Sequence, residues 1–526
     1  MPHCFKLSQR QSRNHPAAWC LVLLLAAACT QDDAVGPEIS GPVPSADSVG
    51  STPNDSDVVV VTDSTGDGID STLAAAETGT TIYPGQDIQA KVNSYPGGTT
   101  FQIKAGVHRL QSIVPKSGNS FVGEAGAILS GARRLTTFTK SGGYWIATGQ
   151  TQQGNIKPIS RDFCLPHRPG CFYPEQLFLN DVLLQHVTSL GAVAPGKWYF
   201  DYGADKIYIA NDPTGKKVET SVKAFAFKGD ASNVTISRLI VEKYATPPSE
   251  ATIDGQTLGA TGWIVKDNQV RWNQGRGIRS GNRMQILRNH VHHQGQTGIA
   301  GAGDNVLVQD NEIAYNNTAG FTSGWEAAGL KFFLTNGLIV RGNFSHHNDG
   351  NGLHCDIDCI NILIENNRVE DNTWRGIFYE ISYKATIRNN VSRRNGFKPP
   401  RGVLGPVDHA GILVSNSRDV EIYGNTVENN WTGIGAYESN RGSGKYGVHD
   451  LVNLNVHDNT VVQSTGRAAG VTQSISSNAV FTSQNNKFTR NTYDLGTSAR
   501  YFQWTNSDRT TPEWKGYGLD LNGTFR

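Results

Sequence analysis

NILIENNRV (361–369), KATIRNNVS (384–392) and DVEIYGNTV (419–427) are three copies of one phrase. Each runs apolar–x–apolar, then polar residues ending in an Asn, then a second short β-prone run. That Asn returns as Asn268, Asn289, Asn311, Asn343, Asn367, Asn390, Asn425, Asn459 and Asn486. The spacings are 21, 22, 32, 24, 23, 35, 34 and 27 residues. A period near 22 that tolerates insertions belongs to a solenoid, not to a fold with one central core.

The physics of the repeat points to a parallel β-helix. Each copy offers three short strands. In the coil 305–335 these are VLVQ, then EIAYN after Asp310-Asn311, then GFTSGW after Asn317-Thr318-Ala319. Alternation places Val306 and Val308, or Ile339 and Ile362, toward one interior. The runs are too short, and too often broken by Asn and Gly, to be helices. Stacking coils roughly 4.8 Å apart sets each Asn over the next. An amide is donor and acceptor at once, so stacked Asn side chains can satisfy one another inside a turn. Asn also tolerates the left-handed backbone of such a turn. The alternative, that Asn merely marks surface turns, does not explain nine copies in one register.

Composition fits a thin-cored solenoid. Of 526 residues, 37% are hydrophobic, and 58 are glycines. The net charge of +1 and the lack of a basic stripe exclude a nucleic-acid partner. Lys6, Arg10 and Arg13 precede a short apolar stretch, Ala17–Ala28, that is too short to span a bilayer. Residues 1–29 therefore read as an export signal. Leu25-Ala26-Ala27-Ala28-Cys29 resembles a lipoprotein cleavage box, with Cys29 as the lipidated residue and Thr30 favouring the outer membrane; a plain secretory signal is the alternative. Residues 30–78, rich in Ser, Thr, Pro and Asp, read as a disordered tether. Asp63, Thr65 and Asp67 half-match a calcium loop, but Ala74 stands where its closing Glu is needed. Outside the signal, Cys164 with Cys171 and Cys355 with Cys359 are plausible disulfides in an oxidising space. A zinc site near His167 and His354 lacks the usual spacing.

The β-helix domain is expected over 79–526, with a cap over about 495–526 and another near 83–107, because an open end would expose strand edges. Residues 133–228 interrupt the repeat. WYFDY–GADK–IYIA and PEQLFLNDVLL there read as strand pairs. The stretch 83–110, followed by FVGEAGAILSGA (121–132), resembles the opening of the pectate-lyase-like superfamily of right-handed parallel β-helices. The insertion is similar to the small β element found early in several β-helix glycosidases. The resemblance implies an all-β fold, a right-handed solenoid with a small β insertion near its start. It leaves the reaction open, because this fold hosts hydrolases, lyases, epimerases and passive adhesins.

Chemistry should lie on one outward strip. Aligning Gly329-Leu-Lys, Gly352-Leu-His-Cys-Asp-Ile-Asp, Gly376-Ile-Phe-Tyr-Glu-Ile-Ser and Gly411-Ile-Leu-Val-Ser-Asn-Ser sends Leu353, Cys355 and Ile357 inward, and His354, Asp356 and Asp358 outward. Ile377, Tyr379 and Ile381 go in; Phe378, Glu380 and Ser382 go out. Asp356 and Glu380 then share a column, as do Lys331 and His354. The three longest spacings fall at loops holding Trp325-Glu326 and Asp408-His409, which would wall a cleft. Clustered carboxylates should repel, raising one pKa and leaving the other ionised. That is the division glycoside hydrolysis uses. Asp356, Glu380, Asp358 and Lys331 are the candidate catalytic residues. His354, Glu326 and His409 could bind substrate, and Trp325, Phe378 and Tyr437 could stack on sugar rings. The reading requires no cofactor, although the carboxylates could hold calcium. GWEAAGLK, NGLHCDID and GIFYEIS resemble a bacterial family of secreted β-helix proteins. The Gly-His-Gly of polygalacturonases, the Asp-Pro-His-Asp of alginate epimerases and the Arg-x-Pro-x-x-Arg of pectate lyases are absent.

The expected function is therefore a monomeric, exported glycoside hydrolase acting on an extracellular polysaccharide, tethered at the outer membrane or secreted. A lyase or epimerase with Lys331 as base and bound calcium is the second reading, and a non-catalytic glycan-binding or structural β-helix the third. His292-His293 and His346-His347 read as structural turn residues.

Overall fold

The computed structural model describes residues 79–154, 163–256, 259–397 and 405–526. The signal, Cys29 and the tether with its calcium half-match lie outside them. Three long sheets run side by side. Two have thirteen strands, beginning at Gly79–Ile82 and Gly106–Arg109, and one has twelve, beginning at Phe227–Lys228. Within these sheets the strands pair in parallel, except for the closing hairpin of Phe502–Trp504 and Ser507–Arg509. The protein is a right-handed parallel β-helix.

A coil is short because each strand is short. Ile362–Glu365 lies in the first sheet, Arg368–Glu370 in the second and Ile377–Glu380 in the third. Val265, Ile286, Val308, Val340, Ile364, Ile387, Ile422 and Val456 stack in register as one column of the core. Ile362 faces that core, but Ile339 is half-buried on the outer face, displaced by its neighbours Leu338 and Val340. In the coil that carries GFTSGW the third strand is Ala328–Phe333 instead. GFTSGW forms a loop, where Phe321 bridges to Cys164.

Between the first and second strands, the Nδ2 of each ladder Asn donates to the Oδ1 of the next at 2.9–3.0 Å, from Asn268 to Asn459. The next rung is Asn491, at 3.0 Å, and not Asn486. Asn486 lies one strand earlier and accepts from Leu454 N. The ladder ends on Asp520, whose carboxylate takes Asn491 Nδ2, the Tyr493 hydroxyl and Trp514 Nε1. The left-handed residue of this turn is the one before each ladder Asn, as at Asn366 (φ 56°) and Asn389 (φ 55°). A second ladder fills the next turn: Asn273, Gln294, Asn316, Asn348, Asn372, Asn395 and Asn430. Each such bond contributes on the order of 1 kcal/mol, and leaving a buried partner unmade costs more.

The helix Ile88–Ser94, N-capped by Asp87, buries Ile88 and Val92 over the first coils. At the other end, Trp514 of the helix Thr511–Gly516 stacks on Phe502. The insertion is an eight-stranded sheet from Ala132–Leu135 to Val218–Ser221. Phe227 and Lys228 already belong to the third sheet, so the insertion ends before 228. It has its own core around Trp198, Phe200 and Ile207. Buried Lys243 fastens it to the helix by pairing with Glu219 (2.6 Å) and Asp181.

Cys164 and Cys171 form a disulfide. Cys355 and Cys359 do not: both are buried free thiols. Cys355 is part of a core strand, and Cys359 Sγ donates to Asp356 O at 3.2 Å. Among the described residues no helix is long and apolar enough to cross a membrane.

Candidate active site

The outer face of the third sheet carries the cluster. Register sets Lys331 beside His354, and His354 beside Phe378. Asp356 closes the strand Asn351–Asp356, and Glu380 closes its neighbour Ile377–Glu380. A nitrogen of His354 and carboxylate oxygens of Asp356 and Glu380 all lie within 4.8 Å of one another. Lys331 Nζ is 3.0 Å from Asp356 and 3.9 Å from Glu326, and donates to Trp325 O at 2.7 Å. Glu326 also pairs with the buried Arg276. Glu380 meets Arg441 at 2.7 Å and His354 Nε2 at 3.3 Å.

Burial alone would lower the Lys331 ammonium, but Glu326 and Asp356 outweigh it and push its pKa up to about 12. Burial would raise Glu326, yet Lys331 and Arg276 hold it below the usual carboxylate range. Burial also opposes ionisation of Glu380, but His354, Arg441 and Arg375 hold its carboxyl well below that range. Burial lowers His354 below the ordinary imidazole value, against the Glu380 hydrogen bond that raises it, and the Lys331 charge adds to the lowering. Repulsion thus does not raise Glu380, contrary to expectation, because each carboxylate has a cation of its own. The same three ligand atoms could accept a metal ion. A divalent cation would then compete with Lys331 and Arg441 for the two carboxylates.

The strip does not gather every residue expected on it. Ile357 (φ 43°) and Asp358 (φ 57°) are both left-handed, so strand alternation stops at Asp356. Ile357 is half-buried outside the core, and Asp358 turns away to accept from His449 Nε2 (2.9 Å) and Lys445 N (3.0 Å). It anchors the hairpin Ser443–Gly444/Gly447–Val448. Phe378 is buried, not open to a sugar: it packs with Val407, Ala410 and Leu413, with His354 stacked on it and the Arg375 guanidinium 4.1 Å from its centroid. His409 is buried too, and burial lowers its ring to about 4. Trp325 is half-buried, stacked on Phe163 at 4.4 Å. Tyr437 is half-exposed, two rungs from Glu380 in the same column.

Sequence reading missed the cations that complete the site. Arg276 opens a strand two coils before that of Lys331 and reaches Glu326. Arg375, sandwiched between Trp374 and Phe378, pairs with Asp408 at 2.6 Å. Arg441 comes from a loop inside one of the three longest spacings, which was the available signal. The His pairs lie elsewhere: His292 and His346 are buried, each with its Nδ1 against that of the following His.

A model of the right-handed β-helix region matches residues 254–427. The chain is similar in structure to XylC in its complex with xylose, at 15% identity and a TM-score of 0.60, covering 79% of this chain and 82% of that one. It is also similar to the A-module of mannuronan C-5 epimerase AlgE6 of Azotobacter vinelandii, at 15% identity and a TM-score of 0.48, covering 84% and 93%. A structure described as a glycoside hydrolase follows at 10% identity and a TM-score of 0.42, covering 82% and 93%. No curated protein matches the sequence. At these identities the likeness is one of fold.

Proposed function

We propose that the protein is an exported glycoside hydrolase that retains anomeric configuration, with Asp356 as nucleophile and Glu380 as acid–base. The separation of the two carboxylates carries this reading. One oxygen of each lies within 4.8 Å of one of the other, an approach that supports retention, since retaining enzymes hold their carboxyl groups about 5–5.5 Å apart and inverting ones roughly 6.5–9.5 Å. XylC, which shares the fold, is described with xylose bound, and that supports a sugar as the ligand class. The export signal and Cys29 would present the site to an extracellular polysaccharide.

The roles follow from the cations. Lys331 is buried, fixed by three partners and charged far above neutral pH. It stands beside Asp356 as the charge partner of the free carboxylate that attacks. Glu380 is held by His354 from the same face and by Arg441, 35% exposed on a surface loop. When substrate displaces that guanidinium, the Glu380 carboxyl rises and can take the proton that a general acid delivers. Glu380 then protonates the glycosidic oxygen while Asp356 attacks the anomeric carbon, and the leaving alcohol departs. Water, deprotonated by Glu380, breaks the resulting ester and frees Asp356. A lyase with Lys331 as base is disfavoured, since a base must be neutral to accept a proton and this amine is held at about 12.

The test is a panel of aryl glycosides and polysaccharides, read for reducing ends and for ultraviolet absorbance together. A 2-fluoro glycoside of an accepted sugar should leave a covalent adduct on the Asp356 peptide. Unsaturated products, inversion of configuration, or full activity in both Asp356→Ala and Glu380→Ala would sink the reading.

A further inference from the structure

Asp358 points out of the carboxylate cluster, yet the hairpin it holds comes back to that cluster. The hairpin Ser443–Gly444/Gly447–Val448 lies between the strands Thr432–Glu438 and Asn455–His457, and its stem brings Arg441 to Glu380 at 2.7 Å. Arg441 to Ser443 and Lys445 to Val448 are exposed, and His449 is buried. A stem standing in solvent keeps one position only if contacts offset the entropy of fixing it.

Three consecutive coils supply those contacts. Asp358 Oδ1 accepts from His449 Nε2 at 2.9 Å, and its Oδ2 from Lys445 N at 3.0 Å. From the next coil the Tyr383 hydroxyl donates to Gly447 O at 2.7 Å, and the Tyr383 ring meets Tyr446 edge-on at 5.4 Å. From the third, Asn416 Nδ2 donates to Ser439 O and to His449 O. The Glu438 carboxyl closes the base by taking Leu451 N. Gly444 is the tightest point: an added Cβ would overlap both Asp358 Oδ1 and His449 Nε2. Only glycine lets the hairpin settle on Asp358.

The chemistry sets which side of the scissile bond the hairpin guards. The anomeric carbon meets Asp356 and the glycosidic oxygen meets Glu380, so the leaving group extends past Glu380, away from Asp356. The hairpin comes from that side, out of a strand two rungs beyond that of Glu380. When substrate displaces the guanidinium, its anchored stem keeps it beside the leaving group, where its N–H donors need acceptors. The adjacent hydroxyls of a sugar supply them, and a methyl group supplies none.

We propose that this hairpin is a clamp for a leaving group that is itself a sugar: Arg441 donates to its hydroxyls, and Asp358 and Gly444 are positioning residues that hold Arg441 there. The clamp takes Glu380 as the acid and so rests on the hydrolase reading.

The experiment uses the full chain and three substrates. Dinitrophenyl xyloside needs no acid; methyl xyloside needs the acid but brings no second ring; xylobiose brings both. The matching glucose set is run beside them. Gly444→Ala, Asp358→Ala and Arg441→Ala should each lower the ratio of kcat/KM for the disaccharide to that for the methyl glycoside at least tenfold. Gly444→Ala combined with Arg441→Ala should lower it no further than Arg441→Ala, because both remove the same contact. Hydrogen exchange at Lys445 N and His449 N should speed up in Gly444→Ala and Asp358→Ala while the coils keep their protection; Gly444→Ala decides if Asp358→Ala does not fold. An unchanged ratio in a hairpin that exchange shows to be loosened would overturn the clamp, and so would unchanged exchange in both variants. Failure to cleave either dinitrophenyl glycoside would overturn the hydrolase reading, and this inference with it.

Discussion

Replacing Lys331 by Met keeps the length of the side chain and removes the cation that Asp356 and Glu326 share. The ammonium is 8% exposed and its pKa stands at about 12 against an ordinary 10.5. That difference is about 2 kcal/mol in favour of the charged form in the folded state. A raised pKa contributes stability that is fully present below the unfolded value. It is lost as pH climbs from about 10.5 through about 12. At pH 7 the variant forfeits this contribution and also leaves Asp356 and Glu326 short of a counter-ion. Breaking such a buried pair from one side costs about 3–5 kcal/mol. For a chain of this length, an unfolding entropy of about 2.1 cal/mol/K per residue makes 1 kcal/mol worth about 1 °C. The apparent Tm should therefore drop by about 3–5 °C at neutral pH. Adding Asp356→Asn should recover more than half of the drop, because the orphaned charge goes with it. The assay is differential scanning calorimetry of the four members of this cycle at pH 7 and pH 11. A drop under about 1 °C, or additive effects in the cycle, would refute the claim that Lys331 is the structural counter-ion of Asp356.

Asn367→Ala strips Asn343 N and Val340 O of buried partners; it should cost about 2–5 kcal/mol, read as a fall in apparent Tm of the same order in degrees. Arg441→Ala removes a charge that holds Glu380 low, so the basic limb of the pH–rate profile, where the general acid loses its proton, should move to higher pH; an unmoved limb would separate Arg441 from the acid. Peptide mapping under non-reducing conditions should recover Cys164 linked to Cys171, and Cys355 and Cys359 as thiols that react with iodoacetamide only after denaturation. Hydrolytic activity should survive EDTA, since Lys331 and Arg441 already neutralise the carboxylates; a loss restored by calcium would turn the cluster into a metal site.

The fold is legible because one residue type recurs at one position of every coil from Asn268 onward. Stacking turns that repetition into a single physical object, the Asn ladder. The second ladder is harder to read, because Gln294 interrupts its Asn pattern and its members stand beside ordinary turn residues such as Asn317. Asn486 reads as a rung because QNNKF imitates the phrase that the true rung, Asn491 in TRNTY, also carries. The cluster of Lys331, His354, Asp356 and Glu380 was legible for a related reason: period-2 alternation assigns a side, and stacking assigns neighbours. Alternation holds only while the backbone stays extended. Two left-handed residues after Asp356 therefore carried Asp358 out of the site, although the same counting had placed it inside. Nor does alternation say what covers a face. Phe378 points outward as expected, yet residues around Val407 bury it, and no local pattern announces a loop folding back across a sheet. The cations show the same limit: Arg276, Arg375 and Arg441 reach the carboxylates from three different coils or loops. A carboxylate pair can be read from two stacked repeats, but the Arg441 that meets Glu380 comes from a loop 61 residues further on. For this chain the sequence locates the cluster of Lys331, His354, Asp356 and Glu380, and only the packing brings Arg276, Arg375 and Arg441 around it.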